Sequence, residues 1–576
     1  MTTPYYNLFS RLRNTIVGTE EIDSSIGGGN SKLFFLLLLT FYILYLSLFQ
    51  SKWVFSGEMW AEMATNYFTN SLAPQLHVRL FSTDAGYIPL PQRIIATFGS
   101  SLALPARAIP YYYTWAGIVG TGLLVGSFCL AEFRSLVRSD GLRFAVALAI
   151  LLPVDFETRT FINFTYFGAF FCAVVTALAY VERTRTIPAW SWFVPFLMIS
   201  KPALLAVLPA MIIVSITSGT RFRAITITTL FFCAAQFMQI WLSHSGGQFS
   251  AANHFSFYEK IDASVRYTLG ISGAFLLGLV LSGEYYKPVM LGSLLLALST
   301  LVLLFNRSRS SALILVGLCL ISFNVVLNCF ALPDAWNSNM SMVQNVPVYR
   351  HIQVALFGEV LLVVGLIEAS CGRFFGYYSR RFSSVAGLTL FTLWFVFSGW
   401  LPFSGRINRL PESPALGNSQ WSALSSKIDA PGAVCVPIDP YGWYFTRGCG
   451  FLNADPASRI SPFTYGSVRF SGISSVTFEA HVVETGKHLI SISFPARSHS
   501  AAGVSMTGTA NVISNGVVVG TLSGSKYLDA GGGSVYLSTS TPIKIEREFE
   551  IRLEFNSPVD LGISADDKVA VTLLGN

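Results

Sequence analysis

Charge is scarce in this chain. Only 12% of its 576 residues are Asp, Glu, Lys or Arg, against 52% hydrophobic residues, and the mean hydropathy is +0.54. So little charge over such a length excludes an ordinary soluble multidomain protein and places most of the chain among polytopic membrane proteins. None of the eight cysteines has zinc-ligand spacing. There is no internal repeat or nucleic-acid module, and the C-terminal region shows no nucleophile elbow or phosphate loop. The formal net charge of +7 is dispersed between apolar runs, where basic residues read as topology signals. The segment before the first apolar run is too polar and too long for a cleavable signal peptide, so 1–32 is expected to be a cytoplasmic leader.

What is present is a succession of apolar runs. Clear spans are expected at 33–49, 111–131, 164–181, 224–242, 288–305, 311–330, 352–370 and 385–401. Shorter runs lie at 93–104 and 143–152. The run 190–215 is interrupted at Ser200-Lys201-Pro202, and proline destabilises a helix interior by about 3 kcal/mol. Two short helices meeting at a Lys-Pro turn are therefore preferred over one long helix with a lysine at membrane depth. The run 266–282 is expected either to re-enter the membrane or to cross it, according to which version of 190–215 holds. The total is about eleven to thirteen membrane helices. Basic clusters at Arg134, Arg138 and Arg143, and at Arg373, Arg380 and Arg381, mark the inner side, leaving the acidic loops and the tail outside.

After Pro402 the composition changes. Ile543, Ile545, Phe549, Ile551, Leu553 and Phe555 show period two, the pattern of half-buried strands, and Asn515-Gly516 is a strong hairpin signal. The expected organisation is a membrane domain over 33–401 followed by an all-β sandwich over 402–576. Six cysteines sit in or beside apolar runs as small packing residues. Cys435 and Cys449, in the tail, are expected to form a disulfide, worth about 3 kcal/mol for a loop of about fifteen residues in an oxidising compartment.

Three polar constellations fall on one expected membrane face. The first loop carries Glu58, Glu62, Asp84 and Arg93; the second carries Asp155, Glu157 and Asn163; the third carries Tyr349, Arg350 and His351. Lys201 joins them at the Lys-Pro turn. Carboxylates beside cations at a water–lipid boundary suit a reaction between a polar acceptor and a lipid-borne phosphate. Arginine offers bidentate hydrogen bonds to phosphate and lysine a point charge, while a carboxylate takes a proton from an attacking hydroxyl. Each also has a plainer reading: Glu58 and Glu62 as a solvated helix face, Asp84 as a turn initiator, Lys201 as a snorkelling side chain, the others as solvated loop residues.

The long membrane half, the loop ending in Asp84-Ala-Gly-Tyr-Ile-Pro-Leu-Pro-Gln-Arg93, the second loop Glu157…Asn163-Phe-Thr-Tyr166, the Lys201-Pro pair and Tyr349-Arg350 together resemble the GT-C superfamily. More narrowly they are similar to bacterial O-antigen-modifying glucosyltransferases of the Gtr type, over roughly residues 1–400. The resemblance implies a multi-pass inner-membrane enzyme with a periplasmic tail. It would move a hexose from a polyprenyl-phosphate donor to a polysaccharide or lipid-linked glycan such as O-antigen. It implies a first-loop carboxylate as base and outer cations on the donor phosphate. Many members place two acidic residues side by side in this loop; here they are apart, leaving the choice among Glu58, Glu62 and Asp84 open. No metal is demanded, although a carboxylate pair could hold Mg²⁺ or Mn²⁺. A transporter or flippase of lipid-linked sugars is the alternative.

Overall fold

The computed structural model describes residues 30–154, 156–182, 187–243, 256–277, 286–305, 309–331, 336, 349–374 and 380–400, and in the tail 419, 421–432, 434–439, 443–447, 454–455, 459–460, 468–481, 488–499, 504–528, 533–546, 548–563 and 569–574. Residues 1–29 of the leader, Asp155 and Cys449 lie outside the described residues, as do the side chains of Tyr349 and Cys435 and therefore the expected disulfide.

Two compact units divide the chain. The first comprises Met1–Phe49, Leu80–Ile94 and Trp115–Glu412; the second comprises Gln50–Arg79, Ile95–Thr114 and Ser413–Asn576. The first-loop segments 50–79 and 95–114 thus cluster with the tail, whereas 80–94 clusters with the helical region.

The helical unit contains α1 (Ser31–Phe49), α2 (Leu90–Ser101, whose second half belongs to the other unit), α3 (Ile109–Gly126, from Trp115 onward), α4 (Asp140–Leu151), α5 (Phe167–Val181), α6 (Leu208–Thr217), α7 (Thr220–Ser243), α8 (Phe257–Leu277), α9 (Tyr286–Phe305), α10 (Ser310–Ala331), α11 (Tyr349–Phe374) and α12 (Arg380–Trp394). Six stretches among the described residues are long and apolar enough to cross a bilayer: Ser31–Phe49, Phe164–Val181, Thr220–Leu242, Tyr286–Phe305, Ser310–Ala331 and Arg350–Cys371. Three shorter apolar helices, Ala189–Met198, Pro202–Thr217 and Phe382–Phe397, accompany them. The run counted as 266–282 begins earlier, at Phe257, so α8 carries Glu259, Lys260 and Asp262 on its first turns.

The α5 span is central, with 89% of its window buried against 17% for α1. Phe167 and Phe170 pack on Phe357 of α11 at 5.6 and 6.3 Å between ring centroids. On α1 the leucines Leu36, Leu44 and Leu48 are exposed, as suits a helix against lipid. Helices with no water to drive them together associate through close packing of small residues. The pairs α8/α9 and α10/α11 do so through reciprocal glycines. A Cβ on Gly273 would stand 1.8 Å from the Pro288 carbonyl oxygen, and one on Gly292 1.8 Å from that of Leu269. For Gly317 and Gly358 the distances to each other's carbonyl oxygens are 2.6 and 2.7 Å.

In the tail, α13 (Trp421–Asp429) precedes an antiparallel pair, β1 (Val434–Ile438) and β2 (Trp443–Arg447). The remaining strands are β3 (Ala454–Asp455), β4 (Arg459–Ile460), β5 (Val468–His481), β6 (His488–Ser498), β7 (Val504–Ser514), β8 (Val517–Leu528), β9 (Gly533–Lys544), β10 (Glu548–Ile563) and β11 (Val569–Leu574). All nine belong to one antiparallel sheet of order β3-β11-β6-β9-β8-β7-β10-β5, with β4 on β11. A further pairing of β10 with β6 closes five of these strands into a ring. The expected β-rich tail is present, with β3 to β11 joined by hydrogen bonding into one sheet and β1 and β2 forming another.

Alternation gives the tail its core. Phe549, Ile551, Leu553 and Phe555 are buried while Glu550, Arg552 and Glu554 are exposed, and they pack with Ile492, Met506 and Leu537 in one cluster. Asn515 and Gly516 join β7 to β8 with φ of +50° and +76°, the left-handed pair of a primed hairpin turn.

Candidate functional site

The polar site lies in the helical unit and starts from a tight turn. Asp84 and Tyr87 exchange backbone hydrogen bonds of 2.8 and 3.1 Å, with Ala85 and Gly86 at positive φ between them. The Ala-Gly pair lets the chain reverse within four residues, at a cost of roughly 1–2 kcal/mol for a left-handed alanine. The reversal returns Tyr87 beside Asp84, and its hydroxyl donates to Asp84 Oδ2 at 3.2 Å.

Lys201 reaches the same hydroxyl from 114 positions further along the chain. A residue preceding proline is pushed into extended backbone, and Lys201 has φ −113° and ψ 133° between the helix Phe193–Met198 and the 3-10 turn Pro202–Val207. The break frees its side chain from the helix surface. Lys201 Nζ donates to Tyr87 Oη and stands over the rings of Tyr87 and Tyr166, 4.9 and 5.9 Å from their centroids. Asp84, Tyr87 and Lys201 are all buried. A charge removed from water is tolerated only when paired and hydrogen-bonded, and the phenol links the ammonium to the carboxylate.

Backbone ties hold the turn. Leu90 N donates to Ile199 O at 3.0 Å, next to the helix break, and the Gln236 side chain of α7 bonds both the N–H and the C=O of Ile88 at 3.2 and 3.3 Å. Gln92 Nε2 donates to Ile162 O and Thr165 Oγ1, both at 2.9 Å, fastening the second loop. Arg93 is fully buried and donates to the carbonyls of Ser82 and Thr83 at 3.0 and 3.2 Å, bracing the strand into the turn.

The second loop is folded around the Glu157 carbonyl, which accepts from Thr160 Oγ1 at 2.7 Å and Asn163 Nδ2 at 3.0 Å. Arg159 anchors its base by donating to Leu152 O, at the end of α4, at 2.8 Å. The Glu157 side chain pairs with Arg350 at the start of α11, 193 positions away. Both side chains are 39% exposed, whereas Lys201 is buried. The His351 carbonyl accepts from Asn328 Nδ2 of α10 at 2.9 Å.

Asp84, Arg93, Lys201, Glu157, Asn163, Arg350 and His351 are therefore gathered in one unit. Glu58 and Glu62 belong to the other. Glu58 caps α13: its carboxylate accepts from Ser419 Oγ at 2.5 Å, from Trp421 N at 2.9 Å and from both the N–H and the hydroxyl of Ser422. Burial pushes its carboxyl above the usual range, and the hydrogen bonds from Ser419, Ser422 and Trp421 offset this only in part. Glu62 stands at the entry to the π-helical turn Met63–Phe68. Phe68 of that turn packs edge-on against Trp421 at 5.1 Å.

Tyr87, Gln92 and Gln236 were not among the residues expected from sequence. The Asp-Ala-Gly-Tyr turn signal was available for Tyr87; nothing local announced Gln236. Glu359 and Gln353 of α11 are fully buried, and their side-chain polar atoms have no hydrogen-bond partner among the described residues. A separate apolar cavity of about 520 Å³ is lined by Leu123, Leu124, Phe171, Trp190, Trp192 and Phe193 among others. Among the described residues no group of three His, Cys, Asp or Glu is arranged to hold a metal ion.

Comparison with protein-family models, with curated proteins and with solved structures gives no match.

Proposed function

We propose that the protein is a membrane glycosyltransferase of GT-C type that uses a polyprenyl-phosphate sugar. The observation that carries this reading is a buried polar cluster in the helical unit, in which Asp84 and Lys201 share the Tyr87 hydroxyl, together with the Glu157–Arg350 pair of the same unit. Ionisable groups at membrane depth mark function. In the reaction, an acceptor hydroxyl attacks the anomeric carbon as its proton passes to Asp84. The anomeric C–O bond to phosphate breaks, and the leaving polyprenyl phosphate is held by Arg350 and Lys201. Asn163 and Glu157 orient the sugar, and the apolar cavity lined by Trp190 and Phe193 takes part of the prenyl chain. The tail binds or positions a polysaccharide acceptor such as O-antigen, and we assign the protein to the bacterial inner membrane with the tail in the periplasm.

The test is transfer by purified protein in detergent. Asp84→Asn is expected to lower the rate by about 10²–10⁴, the range for loss of a general base, with Glu62→Gln near wild type. Full activity in Asp84→Asn would overturn the assignment.

A transporter or flippase of lipid-linked sugars is the second reading, favoured by one observation. Glu359 and Gln353 lie fully buried and unpartnered among the described residues of a candidate span, and transporters carry such groups near the bilayer midplane. Turnover without a sealed membrane separates the two.

A further inference from the structure

The tail carries a polar cluster of its own. Along β10, Val559 and Leu561 are buried in the core, so alternation turns Asp560 to the opposite face. Asp560 is paired across the strands with Arg497 of β6. Ala496 and Ser498 are buried on either side of Arg497, which turns Arg497 to that same face with His499 two residues on. On the other flank β10 meets β5 at a bulge: Val559 pairs with Ile473 and Leu561 with Phe470, leaving Ser471 and Gly472 opposite Asp560 alone. Gly472 takes a left-handed φ of +62° there, and its N–H donates to Asp560 Oδ1 at 2.8 Å. The same oxygen is 2.8 Å from His499 Nδ1, while Oδ2 accepts from Arg497 Nε at 3.0 Å. The Asp560 side chain is 14% exposed, against 62% for Arg497 and 52% for His499, so the carboxylate lies beneath and its two partners stand open. An exposed ion pair adds little to stability.

We infer that Arg497 and His499 form an open subsite for the acidic group of a saccharide, the guanidinium fork taking a carboxylate or phosphate and His499 Nε2 accepting from a hydroxyl beside it. Arg497 uses Nε on Asp560, and its terminal nitrogens have no hydrogen-bond partner among the described residues. That planar fork matches the paired oxygens of an oxyanion. A carboxylate oxygen only accepts, so His499 Nδ1 carries the proton and Nε2 of the neutral ring presents a lone pair. The ring lies over Gly472, where a Cβ would stand 3.2 Å from its Cε1 and Nε2, so glycine leaves room for it. A ligand must therefore bring an oxyanion and a neighbouring hydroxyl donor, as sugar acids and sugar phosphates do. The choice of a saccharide as carrier rests on the reading of the tail as polysaccharide-binding; the oxyanion contact rests on the arginine alone. Asp560 offsets the guanidinium charge, so directed hydrogen bonds carry the contact more than net charge does. Such a contact is weak singly and suits a repeating polymer.

The experiment titrates the full chain in detergent with methyl glucuronide and methyl glucoside, which differ only in carboxylate against hydroxymethyl, with binding followed by saturation-transfer NMR. The wild type is expected to prefer the glucuronide by about tenfold, the contribution of a charge-assisted pair, and Arg497→Gln to lose that preference. The ratio of the two affinities within one preparation is insensitive to any misfolded fraction. Arg497→Lys keeps the charge without the fork and should fall between. His499→Phe keeps a ring over Gly472 and removes the acceptor. It should weaken the glucuronide about threefold and leave acetate, which brings no hydroxyl, unchanged. Glucose 6-phosphate in the same preparations separates a phosphate carrier from a carboxylate one, and Arg497-dependent binding of either supports the inference. Acetate bound as tightly as the glucuronide overturns the saccharide assignment. Equal binding of glucuronide and glucoside, indifferent to Arg497, overturns the inference while leaving the polysaccharide reading of the tail in place; failure of every sugar to bind overturns both.

Discussion

Glycines do opposite work in the two units. In the helical unit the critical ones face backbone: Gly273 and Gly292 meet the carbonyls of Pro288 and Leu269, and Gly317 and Gly358 meet each other. In the tail sheet they face side chains, Gly508 meeting Leu537 and Phe555, and Gly520 meeting Ile543. A carbonyl cannot step aside without moving its helix, whereas the end of an isoleucine can change rotamer. The helices are therefore set by contacts between main chains, which suits association where hydrophobic burial gives little drive. The sheet is set by interdigitating side chains excluded from water. The same residue type fixes geometry in one unit and merely leaves room in the other.

That contrast can be broken by experiment. Gly292→Ala is expected to have the largest effect, at or above about 3 kcal/mol, the upper end for overpacking, read as loss of thermal stability in detergent. An unchanged melting temperature would show that α8 and α9 are not held by main-chain approach. Glu58→Ala comes next, at about 1–3 kcal/mol, because it strands the first N–H groups of α13 together with the hydroxyls of Ser419 and Ser422. Glu58→Gln should cost less, since burial already favours the uncharged carboxyl; equal losses for Ala and Gln would mean that the charge, not the acceptor, matters. Gly520→Ala should be the mildest, below about 1.5 kcal/mol, with Ile543 shifting to admit the methyl. A loss matching that of Gly292→Ala would erase the distinction between the two units.

Local signals in the sequence translated well into local structure. The alternation from Ile543 to Phe555 became the buried face of β9 and β10, and Asn515-Gly516 became the turn between β7 and β8. The interruption at Ser200-Lys201-Pro202 is a break between two helical pieces. Of the expected membrane helices, six among the described residues have the length and apolarity of a crossing and three are shorter apolar helices, two of them the pieces on either side of Lys201 as expected. The site was legible in part. Asp84, Lys201, Glu157 and Arg350 stood out as charges among apolar runs, which is a local property. Tyr87 did not, because its meaning depends on Lys201, 114 positions away. The capping role of Glu58 was hidden for the same reason, since Glu58 bonds to residues more than 360 positions downstream.

The chain enters and leaves the tail-containing unit twice before it reaches residue 413. Trp421 stacks on Phe68 and donates to the Ala106 carbonyl at 2.7 Å, and Ala61 N donates to Asp439 O. A secreted or excised fragment starting near 413 would lack these early-chain partners, uncovering Trp421 and leaving α13 without its Glu58 acceptor. An engineer who wants the module alone must splice 50–79 and 95–114 back in.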